Sequence, residues 1–220
     1  MTTPPENVTD EPNDFVDAGV LEAGPVRLEP LDVHHVDDLC KAAEGDRTSF
    51  GLTSVPHGRE QTWEYVQRAV AARQVRQAVP FAVLDRQTGV AVGTSRFCYL
   101  EFWRWSDTDR PRAPDQPDAA QIGYTWLAAH AQGTGVNRWA KRLMLELAFE
   151  TWRLGRVTLR TDARNTRSRR AILSLGATFE GVLRATQVGY DGQIRDSASY
   201  SVLDTEWPRV RDELDRRLQR

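Results

Sequence analysis

Residues 121–152 read QIGYTWLAAHAQGTGVNRWAKRLMLELAFETW and join three patterns without a break. An apolar run over residues 122–129 predicts a buried strand, residues 130–135 form a turn that carries Gly133 and Gly135, and a helical pattern follows. This order points several backbone N–H groups at one spot, where the helix dipole adds partial positive charge. The stretch therefore predicts an anion-binding loop, most often for phosphate, although an ordinary strand-to-helix turn has the same pattern.

The residues around the glycines restrict the kind of phosphate loop. Arg138, Lys141 and Arg142 follow the loop and are expected to add positive charge near the anion. A Walker-type loop ends in Gly-Lys-Ser/Thr, whereas Gly135 is followed here by Val136. A dinucleotide fingerprint requires a third glycine at the position of Arg138. Both nucleotide-binding interpretations are therefore excluded.

Length and composition are those of an ordinary globular protein. The 220 residues suffice for one domain with a substantial core, and the net charge of -2 with mixed signs disfavours a dedicated nucleic-acid binder. Cys40 and Cys98 lack metal-ligand spacing, so we expect reduced thiols and no metal site. No run approaches the ~20 apolar residues of a membrane span, and no signal pattern is present. We expect a cytoplasmic protein without membrane contact.

The remaining chain alternates helical and strand patterns. Residues 1–24 are acidic and proline-rich and predict a disordered or loosely attached tail, which leaves residues 25–220 as one domain. The predicted strands are 26–31, 81–85, 90–105, 157–162, 179–184 and 198–203, and the predicted helices are 32–44, 59–77, 165–175 and 206–220. Asp32 is the expected N-cap of the first helix, and Trp63 is expected on the apolar side of the second. The pattern predicts a mixed α/β sheet.

Two segments have open interpretations. The arm 90–105 carries Phe97, Tyr99, Phe102, Trp103 and Trp105, a set that is typical of core or edge packing but also of a ligand-pocket wall. Residues 107–119 contain three prolines and four aspartates and predict a surface loop, whose acidity could attract a cationic ligand.

The glycine loop, His130-x-x-Gly133-x-Gly135, resembles motif A of the GCN5-related N-acetyltransferase (GNAT) superfamily, Gln/Arg-x-x-Gly-x-Gly/Ala, except at its first position. Further motifs resemble the Rim-type branch and extend the resemblance over residues 26–207. They are Gln121-Ile122-Gly123-Tyr124-Thr125-Trp126-Leu127, Thr161-Asp162-x-x-Asn165-x-x-Ser168, Leu175-Gly176-Ala177-Thr178-Phe179-Glu180-Gly181-x-Leu183-Arg184 and Gly192-x-x-Arg195-Asp196. This branch includes enzymes that acetylate the N-termini of ribosomal proteins.

The resemblance implies the GNAT fold, an α/β domain with a mixed, mostly antiparallel central sheet flanked by helices, whose middle strands splay apart around acetyl-CoA. The residues implied to bind this cosubstrate are Trp126, Leu127, Gln132, Gly133, Thr134, Gly135, Val136, Asn137, Asn165 and Ser168. The pantetheine is expected along residues 126–129 and the pyrophosphate at the N–H groups of residues 132–137. Asn165 is also the expected N-cap of its own helix.

Acetyl transfer requires a neutral amine, donors for the oxyanion and a proton for the leaving thiolate. The positions of the family's glutamate bases hold Gln121 and Gln187, and an amide cannot take a proton at neutral pH. The position of the family's tyrosine acid holds Ile172. Ser168 and Tyr124 are therefore the catalytic candidates. Glu101, Glu180 and Asp196 are further candidate helpers, although Glu180 and Asp196 are rather expected to pair with Arg184 and Arg195.

The predicted function is acetyl-CoA-dependent N-acetylation of a primary amine by direct attack in a ternary complex. A protein or peptide N-terminus is the leading acceptor, and a small-molecule amine is the alternative. A second alternative is an acetyl-CoA-binding regulatory module with little turnover. Nucleic acid is not an expected partner, although Arg164, Arg167, Arg169 and Arg170 form a basic cluster that could face RNA or the cofactor's 3′-phosphate. A homodimer is possible, as is common in this branch.

Overall fold

The computed structural model describes residues 15–105 and 116–219. Residues 1–14 of the predicted tail and 107–115 of the predicted acidic loop therefore lie outside the described residues. Within the described part, one eight-stranded sheet has the strand order β1-β2-β3-β4-β5-β6-β8-β7, and helices cover both of its faces. None of the described helices is long and apolar enough to cross a bilayer.

The elements follow the predicted order. The strands are β1 (Leu21–Ala23), β2 (Val26–Pro30), β3 (Ala78–Asp85), β4 (Ala91–Glu101), β5 (Ala119–Leu127), β6 (Arg156–Asp162), β7 (Thr178–Val188) and β8 (Ile194–Leu203). The α-helices are α1 (Val36–Ala43), α2 (Gly58–Gln74), α3 (Val136–Glu146), α4 (Thr166–Ser174) and α5 (Trp207–Leu218). One π-helical turn, Leu147–Thr151, continues α3, and Asp32 caps the short turn before α1 as predicted.

Two adjacent strands separate in the middle of the sheet. All strand pairs are antiparallel except β5 and β6, which run parallel and pair only from Ala119↔Arg156 to Ile122↔Leu159. Beyond that point β5 continues to Leu127 without a partner on this side. The prediction of a mixed, mostly antiparallel sheet with splayed middle strands is confirmed, and the gap creates a cleft.

The helices pack on opposite faces of the sheet. On β4, Thr94 contacts Tyr65 of α2, whereas its neighbour Ser95 contacts Lys141 of α3. Because successive strand residues point to opposite faces, α2 and α3 lie on opposite sides. Phe97 is fully buried on the α3 side and packs against Trp152 at a ring distance of 4.6 Å.

Part of the segment predicted as a tail belongs to the fold. Phe15 is 2% exposed and meets Trp152 edge-on, and β1 pairs with β2. A lone aromatic residue and a three-residue strand have no detectable period, so residues 15–24 resembled a tail. Trp63 was also placed wrongly, because it is 43% exposed while Val66 and Ala69 form the buried side of α2.

The end of the predicted acidic loop is buried rather than solvated. Asp118 is 0% exposed and accepts hydrogen bonds from the backbone N–H of Trp103 at 2.6 Å and from Trp105 Nε1 at 2.8 Å. This carboxylate therefore anchors the aromatic segment that follows β4. The aromatic arm itself is divided, since Phe97 is core whereas Tyr99 lines the cleft.

Candidate active site

A cleft of about 610 Å³ opens where β5 and β6 separate. Its walls are the second half of β5, the middle of β6, the first turns of α4, the loop before α2 and the β7–β8 hairpin. Of the residues predicted to bind or act, the cleft brings together Tyr124, Trp126, Leu127, Gln132, Gly133, Asn137, Asn165 and Ser168. Thr134, Gly135 and Val136 complete the same loop but do not line the cleft.

The glycine loop presents a row of free backbone donors. The N–H groups of residues 133–137 have no acceptor among the described residues, and Gly135 caps α3 without a side-chain bond. Gly133 and Gly135 have φ angles of 78° and 93°, in the left-handed region that favours glycine. Thr134 supports the turn by donating from Oγ1 to the Ala131 carbonyl at 2.8 Å. Free N–H groups at a helix N-terminus are suited to hold an anion.

Two buried polar atoms at the cleft have no partner in the described structure. They are Trp126 Nε1, a donor, and Asn137 Oδ1, an acceptor. An unsatisfied buried polar atom costs about 1–3 kcal/mol. A ligand with amide groups, such as the pantetheine arm of coenzyme A, offers both the acceptor and the donor that these atoms lack. The residues present therefore fit coenzyme A.

Gln132 connects the loop to the neighbouring walls. Its Nε2 donates to the Leu127 carbonyl at 2.9 Å and to Ser49 Oγ at 3.0 Å, and its Oε1 accepts from Arg167 Nη1 at 2.6 Å. Arg167 Nη2 in turn donates to the Ser49 carbonyl at 2.5 Å. The end of β5, the loop before α2 and the start of α4 are thereby fixed to one another.

The start of α4 carries a hydroxyl group that has no protein partner. Asn165 Oδ1 accepts from the backbone N–H of Ser168 at 3.0 Å and thus caps the helix. The Ser168 hydroxyl lines the cleft and has no hydrogen-bond partner among the described residues. Ile172, at the family's tyrosine position, lies one turn further along the same wall.

Tyr124 occupies a bulge in β5. Its φ is 51°, and at this point Tyr124 and Thr125 of β5 lie opposite the single residue Ser95 of β4. The bulge is held from β4 and α2, because the Tyr124 carbonyl accepts from Thr94 Oγ1 at 3.2 Å and from Tyr65 Oη at 3.4 Å. The guanidinium of Arg96 lies 3.8 Å from the Tyr124 ring centre. Burial, followed by the neighbouring Tyr99, raises the pKa of the Tyr124 phenol, which therefore stays protonated at neutral pH.

Lys141 is the site residue that sequence reasoning misplaced. Its side chain is buried, and Nζ donates to Ser95 Oγ and to Thr125 Oγ1, both at 2.8 Å. No carboxylate pairs with it among the described residues, and burial lowers its pKa to about 7. One sequence signal was available: Lys41 and Lys141 are the only lysines beside many arginines. A buried lysine can lose its proton, whereas a buried arginine cannot.

Two of the three cations predicted to add positive charge near the loop, Lys141 and Arg142, bind other partners. Lys141 faces the sheet, and Arg142 binds Asp215 at 2.8 Å and Glu146 at 3.1 Å. Both residues lie more than one turn into α3, so their side chains no longer reach its N-terminus. Arg138 has its Nε buried without a partner in the described structure.

The carboxylates considered as helpers are occupied elsewhere. Glu180 pairs with Arg156 at 2.6 Å and Asp196 accepts from the Ala185 N–H at 2.8 Å, so the predicted partners Arg184 and Arg195 were wrong. Glu101 accepts from Trp103 Nε1 at 3.1 Å. The described residues that line the cleft include no aspartate, glutamate or histidine, whereas Gln121 and Gln187 both line it.

The basic cluster on α4 is largely structural. Arg164 pairs with Asp162 and Asp191, both at 2.7 Å, and Arg169 donates to Tyr200 Oη at 3.0 Å. With Arg167 held by the glycine loop, the cluster does not form a continuous free surface for RNA.

The sequence matches a known family along most of its length. Residues 26–178 match the family of the acetyltransferase (GNAT) domain. The chain belongs to the GNAT acetyltransferase family. This GNAT enzyme is also similar to YdaF of Bacillus subtilis (strain 168), which is named provisionally as a ribosomal N-acetyltransferase, with 34% identity over 88 residues. That match covers 40% of the chain and only 47% of YdaF, so the chain spans about half of that relative.

Solved structures of GNAT enzymes share the fold. A GCN5-related N-acetyltransferase from Brucella melitensis superimposes with a TM-score of 0.77 and 25% identity, covering 91% of this chain and 86% of that one. Mycobacterium smegmatis RimJ, solved in complex with CoA-disulfide, gives a TM-score of 0.72 at 21% identity, with 89% and 91% covered. These structural similarities agree with the predicted GNAT fold.

Proposed function

We propose that this GNAT enzyme transfers the acetyl group of acetyl-CoA to a primary amine, and that the N-terminus of a protein or peptide is the leading acceptor. The observation that carries the proposal is the row of free N–H groups at residues 133–137, which opens onto a cleft with two unpaired amide-binding atoms. The ribosomal N-acetyltransferase name of the relative YdaF supports the acceptor class.

Each part of the cleft has a defined task in this proposal. The N–H groups of residues 133–137, which include that of Val136, bind the pyrophosphate, and the Thr134 hydroxyl fixes the turn. Trp126 Nε1 and Asn137 Oδ1 bind the amides of the pantetheine arm, which lies along Leu127 in the gap beside β5. Asn165 and Ser168 complete the opposite wall. When bound, the thioester supplies an activated acetyl group.

The acceptor amine loses its proton without a carboxylate base. The described cleft lining has none, and an α-amine with a pKa near 7.7–8.0 is already partly neutral at neutral pH. The nearby cations Lys141, Arg160 and Arg195 lower the pKa of a bound ammonium by like-charge repulsion. Alignment of amine and thioester in a ternary complex is worth up to roughly 7–11 kcal/mol, so direct attack with water as proton acceptor suffices.

Two hydroxyl groups donate to the negative charges that develop during acetyl transfer. Ser168 Oγ has no protein partner and faces the cleft, so it is placed to protonate the leaving thiolate. Tyr124, protonated at neutral pH, is the second donor. Lys141 lies behind the β5 bulge, where its charge favours the oxyanion of the tetrahedral intermediate.

The test is titration calorimetry of acetyl-CoA into the protein, with free thiol followed after addition of peptides and small amines. We expect binding and thiol release with at least one peptide. Release with small amines alone would move the acceptor to that class. Binding of acetyl-CoA without thiol release across the panel would favour a regulatory module. Gln121 and Gln187, which replace the family's glutamate bases, are consistent with that outcome. Absence of binding would refute the assignment of the glycine loop.

A further inference from the structure

The charges around the cleft are all of one sign. The charged side chains that line it are Lys141, Arg160, Arg167 and Arg195, and none of the described lining residues is acidic. Arg167 is held by Gln132 and Ser49. The other three make no ion pair with a described carboxylate, although Asp162 lies close enough to Arg195 to interact with its charge. A cleft of this charge disfavours an acceptor that carries several positive charges.

Arg96 adds a nearly buried cation next to this cleft. It is only 9% exposed, and its guanidinium lies over the rings of Tyr124, at 3.8 Å, and Tyr65, at 5.3 Å. It has no hydrogen bond and no ion pair with the described residues. Ring stacking covers the face of a guanidinium but leaves the N–H donors at its edge available. None of the Arg96 nitrogens is a fully buried atom without a partner, so these donors remain accessible to a ligand.

Arg96 and two lining arginines share one face of the sheet. Cys98 of β4 pairs in register with Gln121 of β5, and Gln121 pairs with Thr158 of β6. Arg96 lies two residues from Cys98 on β4, and Arg160 lies two residues from Thr158 on β6. Residues in register, and residues two apart on one strand, point to the same face. Arg160 pairs in register with Ser199 of β8. Arg195 lies four residues before Ser199 on that strand, so it points to the same face as Arg160.

The pKa of the Cys98 thiol shows that two of these arginines lie near this residue. Burial raises the pKa of its thiol to about 12, and Arg96 and Arg160 both act in the opposite direction. Arg160 has no side-chain partner among the described residues. Arg195 donates from Nη2 to Ser197 Oγ at 3.3 Å, and its buried Nε has no partner in the described structure. Arg96 and Arg160 therefore both lie near Cys98, and Arg195 lies on the same face farther along β8.

We propose, on the basis of the proposed function, that the acceptor carries a carboxylate close to its primary amine and that Arg96, Arg160 and Arg195 bind this carboxylate. Guanidinium groups bind carboxylates through paired, charge-assisted hydrogen bonds. A carboxylate close to an amine also holds the amine protonated, and the arginines cancel that effect. The subsite thus selects the acceptor and favours its reactive form.

The experiment uses acceptor pairs that differ only in a carboxylate and a carboxamide. One pair is a short peptide with Asp or Asn as its second residue, and the other is a free amino acid and its amide. With saturating acetyl-CoA, thiol release should give a kcat/KM at least tenfold higher for the carboxylate member of one pair. The pair that responds identifies a side-chain or an α-carboxylate as the group recognised.

Variants of the three arginines test whether these residues cause the carboxylate preference. R160Q, at an exposed position, and R96M should each reduce the carboxylate preference at least fivefold, mainly through KM. R170Q, on the exposed face of α4 outside the cleft, should keep it. Equal rates within both wild-type pairs would overturn the proposal, as would a preference that persists in R96M, R160Q and R195Q.

A binding measurement separates this inference from the proposed function. The same pairs are titrated into protein saturated with coenzyme A, which requires no turnover. Tighter binding of the carboxylate member supports the subsite even if no thiol is released. Equal binding of both members contradicts it, whether or not the protein acetylates other amines.

Discussion

Lys141 Nζ donates a 2.8 Å hydrogen bond to Thr125 Oγ1, the residue that follows the left-handed Tyr124 in β5. The only other partner of this ammonium in the described structure is Ser95 Oγ, also at 2.8 Å. Ser95 and Thr125 are themselves 2.8 Å apart, so a cation and two hydroxyl groups form a closed triangle behind the bulge. Burial of this charge has consequences for stability and for catalysis.

The stability of the protein should rise with pH above 7 because of Lys141. Its pKa is about 7 in the folded state, against an ordinary lysine value of 10.5 that applies to the unfolded chain, so the unfolded chain binds more protons between these values. Below pH 7 the folded state carries the full cost of the buried charge. We expect K141M to lack this contribution, which amounts to about 4 kcal/mol between pH 7 and pH 10. Urea unfolding of both proteins at several pH values measures the difference.

The two lysines make a direct check practical. Carbon-13 labelling of lysine Cε gives two resonances, from Lys41 and Lys141, and K141M assigns them. The Lys141 resonance should titrate near pH 7. K41M serves as the control for loss of a surface lysine, and a Lys141 pKa above 10 would contradict the burial argument.

Replacement of Gly135 by valine should weaken acetyl-CoA binding at least tenfold. Its φ of 93° is strained for a β-branched residue, and the added side chain would stand in the open space in front of the free N–H groups. Calorimetry measures the affinity. G89V is the matched control, because Gly89 also has a positive φ of 70° and open space but lies in the β3–β4 turn. Equal acetyl-CoA affinity in G135V and the wild type would remove the loop from the mechanism.

Ser168→Ala should slow turnover by roughly 100-fold, the lower range for loss of a general acid, with little change in acetyl-CoA affinity. The helix cap survives because Asn165 binds the backbone N–H of residue 168 and not its hydroxyl. Single-turnover thiol release gives the rate. Y124F tests the second donor, and S174A, whose hydroxyl bonds the Ala171 carbonyl, is the control. If S168A keeps its rate while Y124F loses it, the acid is Tyr124.

The pH dependence of kcat/KM should follow the acceptor amine and not an enzyme carboxylate. Without a carboxylate in the described lining, the rate rises with the free-amine fraction, with an inflection near ~8 for an α-amine and near ~10.4 for a lysine-type amine. Profiles for two acceptors of different amine pKa provide the measurement. An inflection near pH 7 that disappears in K141M would show that the protonation state of Lys141 affects the rate. A shared inflection between pH 4 and 6 would reveal a carboxylate base.

The sequence predicted the architecture well because strands and helices here have strong periods and clear end signals. Asp32, Gly133, Gly135 and Asn165 were assigned from local chemistry that depends on few neighbours, and their cap or turn roles agree with the structure. The splay between β5 and β6 was expected from family resemblance alone, since no local pattern reports where two strands separate.

The errors concern residues whose role depends on distant partners. Lys141 lies on a helix that is buried on several sides, so its spacing could not reveal that it meets Ser95 and Thr125 from two strands. Asp118 looked like part of a solvated loop because its partners, Trp103 and Trp105, lie 15 and 13 residues before it in the sequence. The cleft walls outside the motif residues are built from such long-range contacts and were therefore not predictable.

The hydrogen bonds of Gln132 have a kinetic consequence. Through Ser49 and Arg167, this one side chain ties the anion-binding loop to the segment that frames the mouth of the cleft. In the proposed function, the loop that binds coenzyme A and the entrance that the second substrate uses therefore belong to one hydrogen-bonded unit. Substrate addition should be ordered, with the acetyl donor binding before the amine. The acetylated product should then leave before coenzyme A.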